Sequence, residues 1–406
     1  MSGIKRNGYL TFKYNVQHAR HGWLRLTPAY SVRLVEQILQ DIPKRPACVL
    51  EPFSGTGTTE LVCAEKGIPA IAFDINPFLV WLAKVKTSVY SPQIIQAFAD
   101  DAEQIAADIG SILPSCVPLI HNIGRWWGED QLLYLARLKA SISCVDDPSV
   151  RDLLKIAFCR LLIEISNADF NHVSTSFKQQ GHGPFSDKEG NSLFLQICNM
   201  IQTSAKKQPL AKPEIFCHNT RALPAHCKDS FDTVITSPPY PNRISYIREL
   251  RPYMYWLDYL QSSEDSGNLD WETIGGTWGS ATSKLASWAP SATAIPKSLI
   301  DPARKIAGAA NKTAHLLCNY VLKYFEDIAN HLQSVFSNIR HGGSVHYIVG
   351  NSCFFGNMVP SDEIYMELLW SVGFVNVKSR IIRKRNCNKS LYEYEISAMK
   401  PDSIDA

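Results

Sequence analysis

The sequence predicts an α/β protein with a Rossmann-like, mostly parallel sheet, an antiparallel C-terminal hairpin and a largely helical insertion. First, a short buried strand leads into a glycine-containing loop at residues 48–59, and a helical pattern follows. Second, the buried strand at residues 70–73 ends in an aspartate. Third, two β-rich runs at residues 375–383 and 391–399 flank a turn near the end of the chain. Strands that alternate with helices and close with a hairpin are typical of a parallel sheet with an antiparallel end.

Length and composition favour one folded domain enlarged by insertions over two domains of equal size. The 406 residues include 10% aromatic and 19% charged residues, which is typical of a protein with a substantial apolar core. No apolar run approaches the roughly 20 residues of a membrane span, and the amino terminus lacks the apolar core of a signal peptide. We therefore expect a cytoplasmic protein without a membrane partner.

The cysteines give no sign of a disulfide framework or of a metal site. There are eleven of them, without any C-x-x-C pair, and this pattern favours reduced thiols. Cys217-His218 and His226-Cys227 do not have the spacing of a usual zinc motif. We therefore expect no bound metal.

The formal net charge of +3 is too small to establish a polyanionic partner, so the distribution of charge matters more. Residues 1–48 contain eight Lys or Arg and two Asp or Glu, and residues 377–389 contain six basic residues and no acid. Two such stretches can contact phosphates from opposite sides of a cleft, or they can be two solvated surfaces. The sequence leaves both interpretations open.

The glycine loop has the features of an adenosine-binding site. Gly55 and Gly57 permit a tight turn and the close approach of a ligand, and the helix that follows presents unpaired N–H groups. Asp74 ends the next strand, where an acid can hold both ribose hydroxyls. The loop lacks the Lys-Ser/Thr ending of a P-loop and the third glycine of a dinucleotide fingerprint. These differences favour an adenosine ligand other than ATP or NAD, and S-adenosylmethionine qualifies.

A stiff turn at residues 237–240, with the sequence Ser-Pro-Pro-Tyr, follows a buried strand. Its prolines have no N–H, so the turn offers carbonyl acceptors with few competing donors, and Ser237 adds a hydroxyl that can also accept. Such a turn suits an exocyclic amine, and Tyr240 supplies a ring on which a flat base can stack. By itself, the turn is explained equally well as a proline turn after a core strand.

Together the two motifs resemble those of one family. Residues 51–59, Glu-Pro-Phe-Ser-Gly-Thr-Gly-Thr-Thr, are similar to the cofactor loop D-P-F-x-G-x-G-T-T of the S-adenosylmethionine-dependent amino-methyltransferases that modify DNA bases. Residues 237–240 resemble the catalytic motif of that family, in the S-P-P-Y form associated with cytosine-N4 methylation. Glu51 departs from the commoner aspartate, a conservative change that lengthens the reach of the carboxylate.

The resemblance implies the Rossmann-like methyltransferase fold, S-adenosylmethionine as the cofactor, and a flipped-out base in double-stranded DNA as the substrate. The resemblance and the positions of the predicted strand ends together give two sets of candidate residues. The cofactor-binding set is Thr27, Tyr30, Glu51, Pro52, Phe53, Gly55, Gly57, Thr58, Thr59, Asp74 and Asn219. The catalytic set is Ser237, Pro238, Pro239 and Tyr240.

On this basis the chain divides into three parts. Residues 1–87 contain an N-terminal segment, with Thr27 as a predicted helix cap, and the cofactor-binding half of the catalytic domain. Residues 88–213 form a helical insertion that is a candidate DNA-recognition region. Residues 214–406 contain the catalytic turn and the closing strands, and glycines and serines at about 262–312 predict a mobile loop without helical periodicity.

The predicted function is site-specific methylation of cytosine N4 in duplex DNA, with a restriction endonuclease as a candidate partner. Adenine-N6 methylation is the nearest alternative, because adenine carries a similar amine, and guanine-N2 methylation of RNA is the next. A nucleic-acid-binding protein without activity is the alternative outside the class. The recognition sequence and the oligomeric state are not predicted.

Overall fold

The computed structural model describes residues 8–26, 29–169, 176–178, 183–242, 246–276, 280–291, 295–385 and 390–403. Its strands, in chain order, are β1 Val49–Glu51, β2 Ala70–Asp74, β3 Ala168–Asp169, β4 Ser176–Phe177, β5 Glu214–Cys217, β6 Thr233–Thr236, β7 Ser344–Gly350, β8 Ser352–Phe354, β9 Asn357–Val359, β10 Val375–Lys384 and β11 Tyr392–Met399.

Seven of these strands form the central sheet, in the order β10-β11-β7-β6-β1-β2-β5. The neighbours from β7 through β5 pair in parallel, whereas β11 pairs antiparallel with both β7 and β10. The mostly parallel sheet with an antiparallel C-terminal hairpin is therefore confirmed. The short pairs β3–β4 and β8–β9 lie outside this sheet.

The middle of the sheet brings the two motif-bearing loops to one edge. Leu50 of β1 is in register with Ile71 of β2 and with Val234 of β6. All three strands run in the same direction, so the loop after β1, the acid that ends β2 and the turn after β6 leave the sheet at one edge. Every residue of β1 and of β6 is buried, as expected for central parallel strands covered on both faces.

Helices cover both faces of the sheet and build the insertion. In chain order they are α1 Phe12–Asn15, α2 Val32–Asp41, α3 Thr58–Glu65, α4 Pro77–Thr87, α5 Pro92–Asp108, α6 Glu129–Ser143, α7 Pro148–Glu164, α8 Asp187–Ala205, α9 Tyr246–Trp256, α10 Ser263–Glu272, α11 Ser280–Ser287, α12 Lys297–Ala307, α13 Ala314–Asn338 and α14 Ser361–Val372. Within the described ranges, no helix is both long and apolar enough to cross a membrane.

The insertion consists mainly of α5 to α8, and two of its helices, together with the preceding α4, begin with the same local signal. Asn76, Ser91 and Asp147 cap α4, α5 and α7 through their side chains, and each is followed by a proline at the first helical position. The buried apolar side chains of these helices join those of α9 in one cluster. The insertion therefore packs against the helix that follows the 237–240 turn.

Helix α2 begins later than the sequence predicted. Thr27, the predicted cap, lies outside the described residues, and the helix begins at Val32. The Asn15 side chain accepts a 2.9 Å hydrogen bond from the Val32 N–H and donates a 2.8 Å hydrogen bond to the Tyr30 carbonyl. A residue of another helix thus accepts the hydrogen bond of the first N–H group of α2, and the local Thr-Pro pattern could not indicate it.

The sequence predicted a loop without helical periodicity at about 262–312, and this is wrong. Helices α10, α11 and α12 occupy most of the described part of the segment. Ser262 and Asp265 form a reciprocal capping box at the start of α10. Glu367 of α14 accepts hydrogen bonds of 2.6 and 3.0 Å from the Lys297 and Ser298 N–H groups at the start of α12. The second cap comes from far along the chain, which is why the pattern missed that helix. The mobility of this segment stays a prediction.

Candidate active site

One cavity of about 350 Å³ opens at the edge of the sheet where β1, β2 and β6 end. The glycine loop contributes residues 52–56 and Thr58 to its lining, and the turn contributes residues 237–240. The two loops therefore meet across a single crevice, although they lie far apart in the chain.

Most of the candidate residues line this cavity. Those that do are Tyr30, Pro52, Phe53, Gly55, Thr58, Asp74, Asn219, Ser237, Pro238, Pro239 and Tyr240. Glu51, Gly57 and Thr59 are not part of its lining. Thr27 lies outside the described ranges.

Glu51 lies beneath the glycine loop and is fully buried. Its Oε1 accepts a 3.0 Å hydrogen bond from the Phe53 N–H and a bond from the Thr236 hydroxyl, and its Oε2 accepts bonds of 2.9 and 2.6 Å from the Tyr30 and Thr59 hydroxyls. Burial raises the pKa of this carboxyl to about 7, and these donors oppose the rise. Glu51 therefore ties β1, β6 and α3 together, and it acts on the cavity only through the residues that it holds.

The glycine loop needs its glycines for two different reasons. Gly55 has a φ of +53° and Gly57 a φ of +77°, both in the left-handed region that favours glycine. A Cβ at Gly57 would also lie 3.1 Å from the Cα and Cβ atoms of Ala83, whereas one at Gly55 would approach no atom closer than 3.7 Å. Gly57 thus allows α3 and α4 to pack, and Gly55 shapes the cavity wall.

Asp74 anchors the loop from the end of β2. Its Oδ2 accepts a 2.8 Å hydrogen bond from the Gly55 N–H, and its Oδ1 accepts one of 2.8 Å from the Asn76 N–H. Burial raises the pKa of the Asp74 carboxyl to about 6, against the effect of these bonds. Each carboxylate oxygen can accept more than one bond, so the side chain keeps capacity for ligand hydroxyls.

A buried acid and a buried lysine support the loop from below. The Glu60 Oε1 accepts a hydrogen bond from the Ser54 hydroxyl, while its Oε2 has no partner among the described residues. Burial raises the pKa of Glu60 to about 8. The Lys86 ammonium donates a 2.8 Å hydrogen bond to the Thr56 carbonyl, and burial lowers the pKa of Lys86 to about 8.

The 237–240 turn is held from two sides. The Ser237 hydroxyl lies 3.2 Å from the Ile348 carbonyl and 3.3 Å from the Tyr240 hydroxyl, and it can donate its one proton to either. The Tyr324 hydroxyl donates a 2.7 Å hydrogen bond to the Pro239 carbonyl. Because the Ser237 proton is directed into the protein, the oxygen keeps lone pairs that can accept from a ligand.

Tyr240 belongs to a network that reaches the C-terminal hairpin. Its hydroxyl donates a 2.9 Å hydrogen bond to Glu393, which also accepts bonds of 2.7 and 3.0 Å from the Arg383 guanidinium. The Arg385 guanidinium lies 4.9 Å from the centre of the Tyr240 ring and donates a 2.9 Å bond to the Asn351 carbonyl. The face of an aromatic ring attracts a cation at this distance from the ring centre.

Five charged residues of the cavity lining were not among the candidates from the sequence: Glu249, Glu272, Arg383, Arg385 and Glu393. Arg385 does carry a sequence signal, because it lies in the basic stretch at 377–389. Glu393 is the cross-strand partner of Arg383, so the register of the hairpin would have indicated that pair. Glu249 had no signal, because only the packing of α9 brings it to the cavity.

The basic stretch near the C terminus is partly neutralised within the protein. Arg380 forms ion pairs with Glu395 and, at 3.4 Å, with Asp41, and Arg383 pairs with Glu393. These arginines have partners of opposite charge, so the number of basic residues overstates what is available to a polyanion. Within the described residues, no cluster of three or more His, Cys, Asp or Glu side chains is arranged to hold a metal ion.

The glycine-loop half of the site lies within a family match that does not include the 237–240 turn. A family model described as D12 class N6 adenine-specific DNA methyltransferase matches residues 32–108. The matched residues include β1, the glycine loop and β2, and they end well before Ser237. The match therefore concerns the half of the cavity that the glycine loop lines.

Two type II methyltransferases match more of the chain. M.BsoBI of Geobacillus stearothermophilus is 21% identical over 439 residues, covering 94% of this chain and 84% of that protein. M.MvaI of Kocuria varians is 24% identical over 274 residues, covering 60% of this chain and 58% of that protein. The chain thus matches little more than half the length of M.MvaI.

One solved structure resembles the chain weakly. It is the rRNA methyltransferase aviRa from Streptomyces viridochromogenes, with 11% sequence identity and a TM-score of 0.32 over 95% of this chain and 96% of that one.

Proposed function

We propose that this chain, a relative of the type II DNA methyltransferases, transfers a methyl group from S-adenosylmethionine to the exocyclic N4 of cytosine in duplex DNA. The observation that carries the proposal is the single cavity lined by both the glycine loop and the 237–240 turn. A transfer between two ligands requires that both be held within reach of one another, and one cavity meets this requirement.

The cofactor half of the cavity fits S-adenosylmethionine, which supplies an activated sulfonium methyl group when bound. Gly55 leaves open the space that a Cβ would take, so a ligand can approach the loop backbone. Asp74, already fixed by two backbone N–H groups, can accept the ribose hydroxyls. Asn219 lines the same wall and is the candidate contact for the adenine.

The turn supplies acceptors for an amino group. The N4 lone pair of cytosine is delocalised into the ring and is a poor nucleophile, so the protein must align the amine and localise that pair. We assign to the Ser237 oxygen and the Pro238 carbonyl the acceptance of the two amino hydrogens, which favours a tetrahedral nitrogen. Tyr324 keeps the turn in place through the Pro239 carbonyl. The bond from N4 to the methyl carbon would form as the bond from sulfur to that carbon breaks, and the methylated amine would then release one proton to solvent.

A base inside a duplex cannot reach this cavity, so the target base must leave the helix at a cost of about a few kcal/mol. Tyr240 is the candidate stacking surface, and its hydroxyl is fixed by Glu393. Arg385 lies over the Tyr240 ring, so a base that stacks on this ring must lie beside the guanidinium or displace it.

Adenine N6 is the second candidate target, and a specific observation favours it: the matching family model is named for N6-adenine methylation. That model ends at residue 108 and includes no part of the turn that would hold the base. The Ser-Pro-Pro-Tyr sequence of the turn is the form associated with cytosine, and we therefore keep cytosine as the proposed target. A restriction endonuclease remains a proposed partner, by analogy with the type II methyltransferases that match.

The test is to incubate the protein with S-adenosylmethionine and, in separate reactions, duplex DNA of mixed sequence or RNA, then to digest the nucleic acid and analyse the nucleosides by mass spectrometry. N4-methylcytosine supports the proposal, and N6-methyladenine replaces it with the second candidate. A methylated guanosine formed on RNA, with no product on DNA, would reject DNA as the substrate. Cofactor binding without any methylated product would favour a binding protein.

A further inference from the structure

Glu249 of α9 is an acidic side chain in the cavity to which the proposed chemistry assigns no role. It is partly buried, and its carboxylate has no hydrogen bond or ion pair with any residue that the structure describes. Two residues that flank it on α9, Ile247 and Leu250, line the same cavity and are apolar. An uncompensated carboxylate beside apolar side chains loses hydration without gaining a partner.

The other acidic side chains of the cavity already have partners. Asp74 accepts two backbone N–H groups, and Glu393 accepts from Arg383 and Tyr240. Glu272 lies 3.7 Å from the Arg221 guanidinium. Among the described lining residues, Glu249 is therefore the acid without a hydrogen-bond or ion-pair partner, and its carboxylate is available to a ligand.

Glu51 cannot take that role. The resemblance assigned it to the cofactor, but it is fully buried outside the lining, and its two oxygens together accept four hydrogen bonds. The cofactor itself carries a sulfonium and an α-ammonium group against one carboxylate, so its methionyl end is a net cation. A cation of this kind needs a negative partner when it enters a cavity of low polarity.

We propose that Glu249 is the counter-charge for the cationic methionyl end of the cofactor. The inference rests on the proposed function, because it takes the ligand of the cavity to be S-adenosylmethionine. Burial raises the pKa of Glu249 to about 7 in the free protein, and a bound cation would favour its ionised form. The positive charge can come from the α-ammonium or from the sulfonium group, and the two sources are separable by experiment.

The experiment measures cofactor binding to the full-length protein by isothermal titration calorimetry at pH 8, without DNA. S-adenosylmethionine carries both cationic groups, whereas S-adenosylhomocysteine keeps the ammonium and lacks the sulfonium. Glu249→Gln preserves the shape of the side chain and removes its charge. Glu272→Gln is the matched control, because it removes an acid of the same cavity that already has an arginine partner.

We expect Glu249→Gln to weaken S-adenosylmethionine binding about 10- to 100-fold, the range for a charge-assisted contact, and Glu272→Gln to change it less than about threefold. An equal loss for S-adenosylhomocysteine identifies the ammonium as the partner, and a loss confined to S-adenosylmethionine identifies the sulfonium. Thermal unfolding of both variants checks that the fold is retained.

Unchanged affinity of Glu249→Gln for both ligands, with the wild type binding normally, would overturn the inference and leave the proposed function standing. A loss of affinity as large in Glu272→Gln would also overturn it, because the effect would then belong to the general negative charge of the cavity. If the wild type bound neither ligand, the proposed function itself would fail, and this inference with it.

Discussion

The Tyr240 hydroxyl donates a 2.9 Å hydrogen bond to Glu393, which links the turn after β6 to the C-terminal hairpin. Glu393 is nearly inaccessible to solvent, and it stands opposite Arg383 in the register of β10 and β11. The position of the Tyr240 ring therefore depends on a residue far from it in the chain.

We expect Glu393→Gln to lower the unfolding free energy by about 1–3 kcal/mol, because it leaves the Arg383 guanidinium without its negative partner. Urea denaturation measures this. Glu363→Gln, at an exposed position of α14, is the control and should change stability by less than about 0.5 kcal/mol. Equal stabilities of the two variants would show that the network contributes nothing.

The stacking role of Tyr240 is tested by two substitutions. Tyr240→Ala removes the ring and should lower the single-turnover rate of methyl transfer to duplex DNA about 5- to 100-fold, as expected for one lost base–aromatic contact. Tyr240→Phe keeps the ring and should lower the rate less than Tyr240→Ala does. Full activity of Tyr240→Ala would rule out stacking on this residue.

The glycines of the loop should respond differently to alanine. Gly57→Ala places a Cβ 3.1 Å from the Cα and Cβ atoms of Ala83, at a residue whose φ is positive. We therefore expect the free energy of unfolding to fall by at least about 1 kcal/mol. Gly55→Ala also has a positive φ but approaches no atom so closely, so we expect it to lower stability less than Gly57→Ala does and to impair cofactor binding. Differential scanning calorimetry together with titration of the cofactor distinguishes the two effects, and the opposite ranking would contradict this account of the loop.

Glu60 should make stability depend on pH. Its pKa of about 8 in the folded state exceeds the ordinary 4.5, so between these values the folded protein keeps a proton that the unfolded chain releases. The unfolding free energy therefore falls as pH rises through this window. The glutamine of Glu60→Gln does not titrate. The unfolding free energy of this variant minus that of the wild type should therefore increase by roughly a few kcal/mol from pH 5 to pH 8.

Urea denaturation of both proteins at each pH provides the measurement. Glu264→Gln, at an exposed position of α10, is the control and should follow the wild type. A constant difference between Glu60→Gln and the wild type across this range would mean that Glu60 has the same proton affinity in both states.

The sheet and the meeting of the two loops could be predicted because their signals are local. Buried strands, a glycine loop and a double-proline turn are each visible in a few consecutive residues, and parallel strands bring their carboxyl ends to one edge. Glu249 and Glu393 could not be found in this way, because α9 and β11 reach the cavity only through tertiary packing. The cap that Glu367 provides for α12 is hidden for the same reason.

The most direct test of the central claim is the transfer of a tritiated methyl group from S-adenosylmethionine to duplex DNA by Ser237→Ala, with cofactor affinity measured on the same protein. The substitution removes one acceptor for the amino hydrogens and leaves the glycine loop intact. We predict a rate at least about 100-fold lower than that of the wild type, as for the loss of one preorganised hydrogen-bonding group, with cofactor affinity unchanged within about threefold. Transfer at the wild-type rate would contradict the claim that this turn holds the reacting amine.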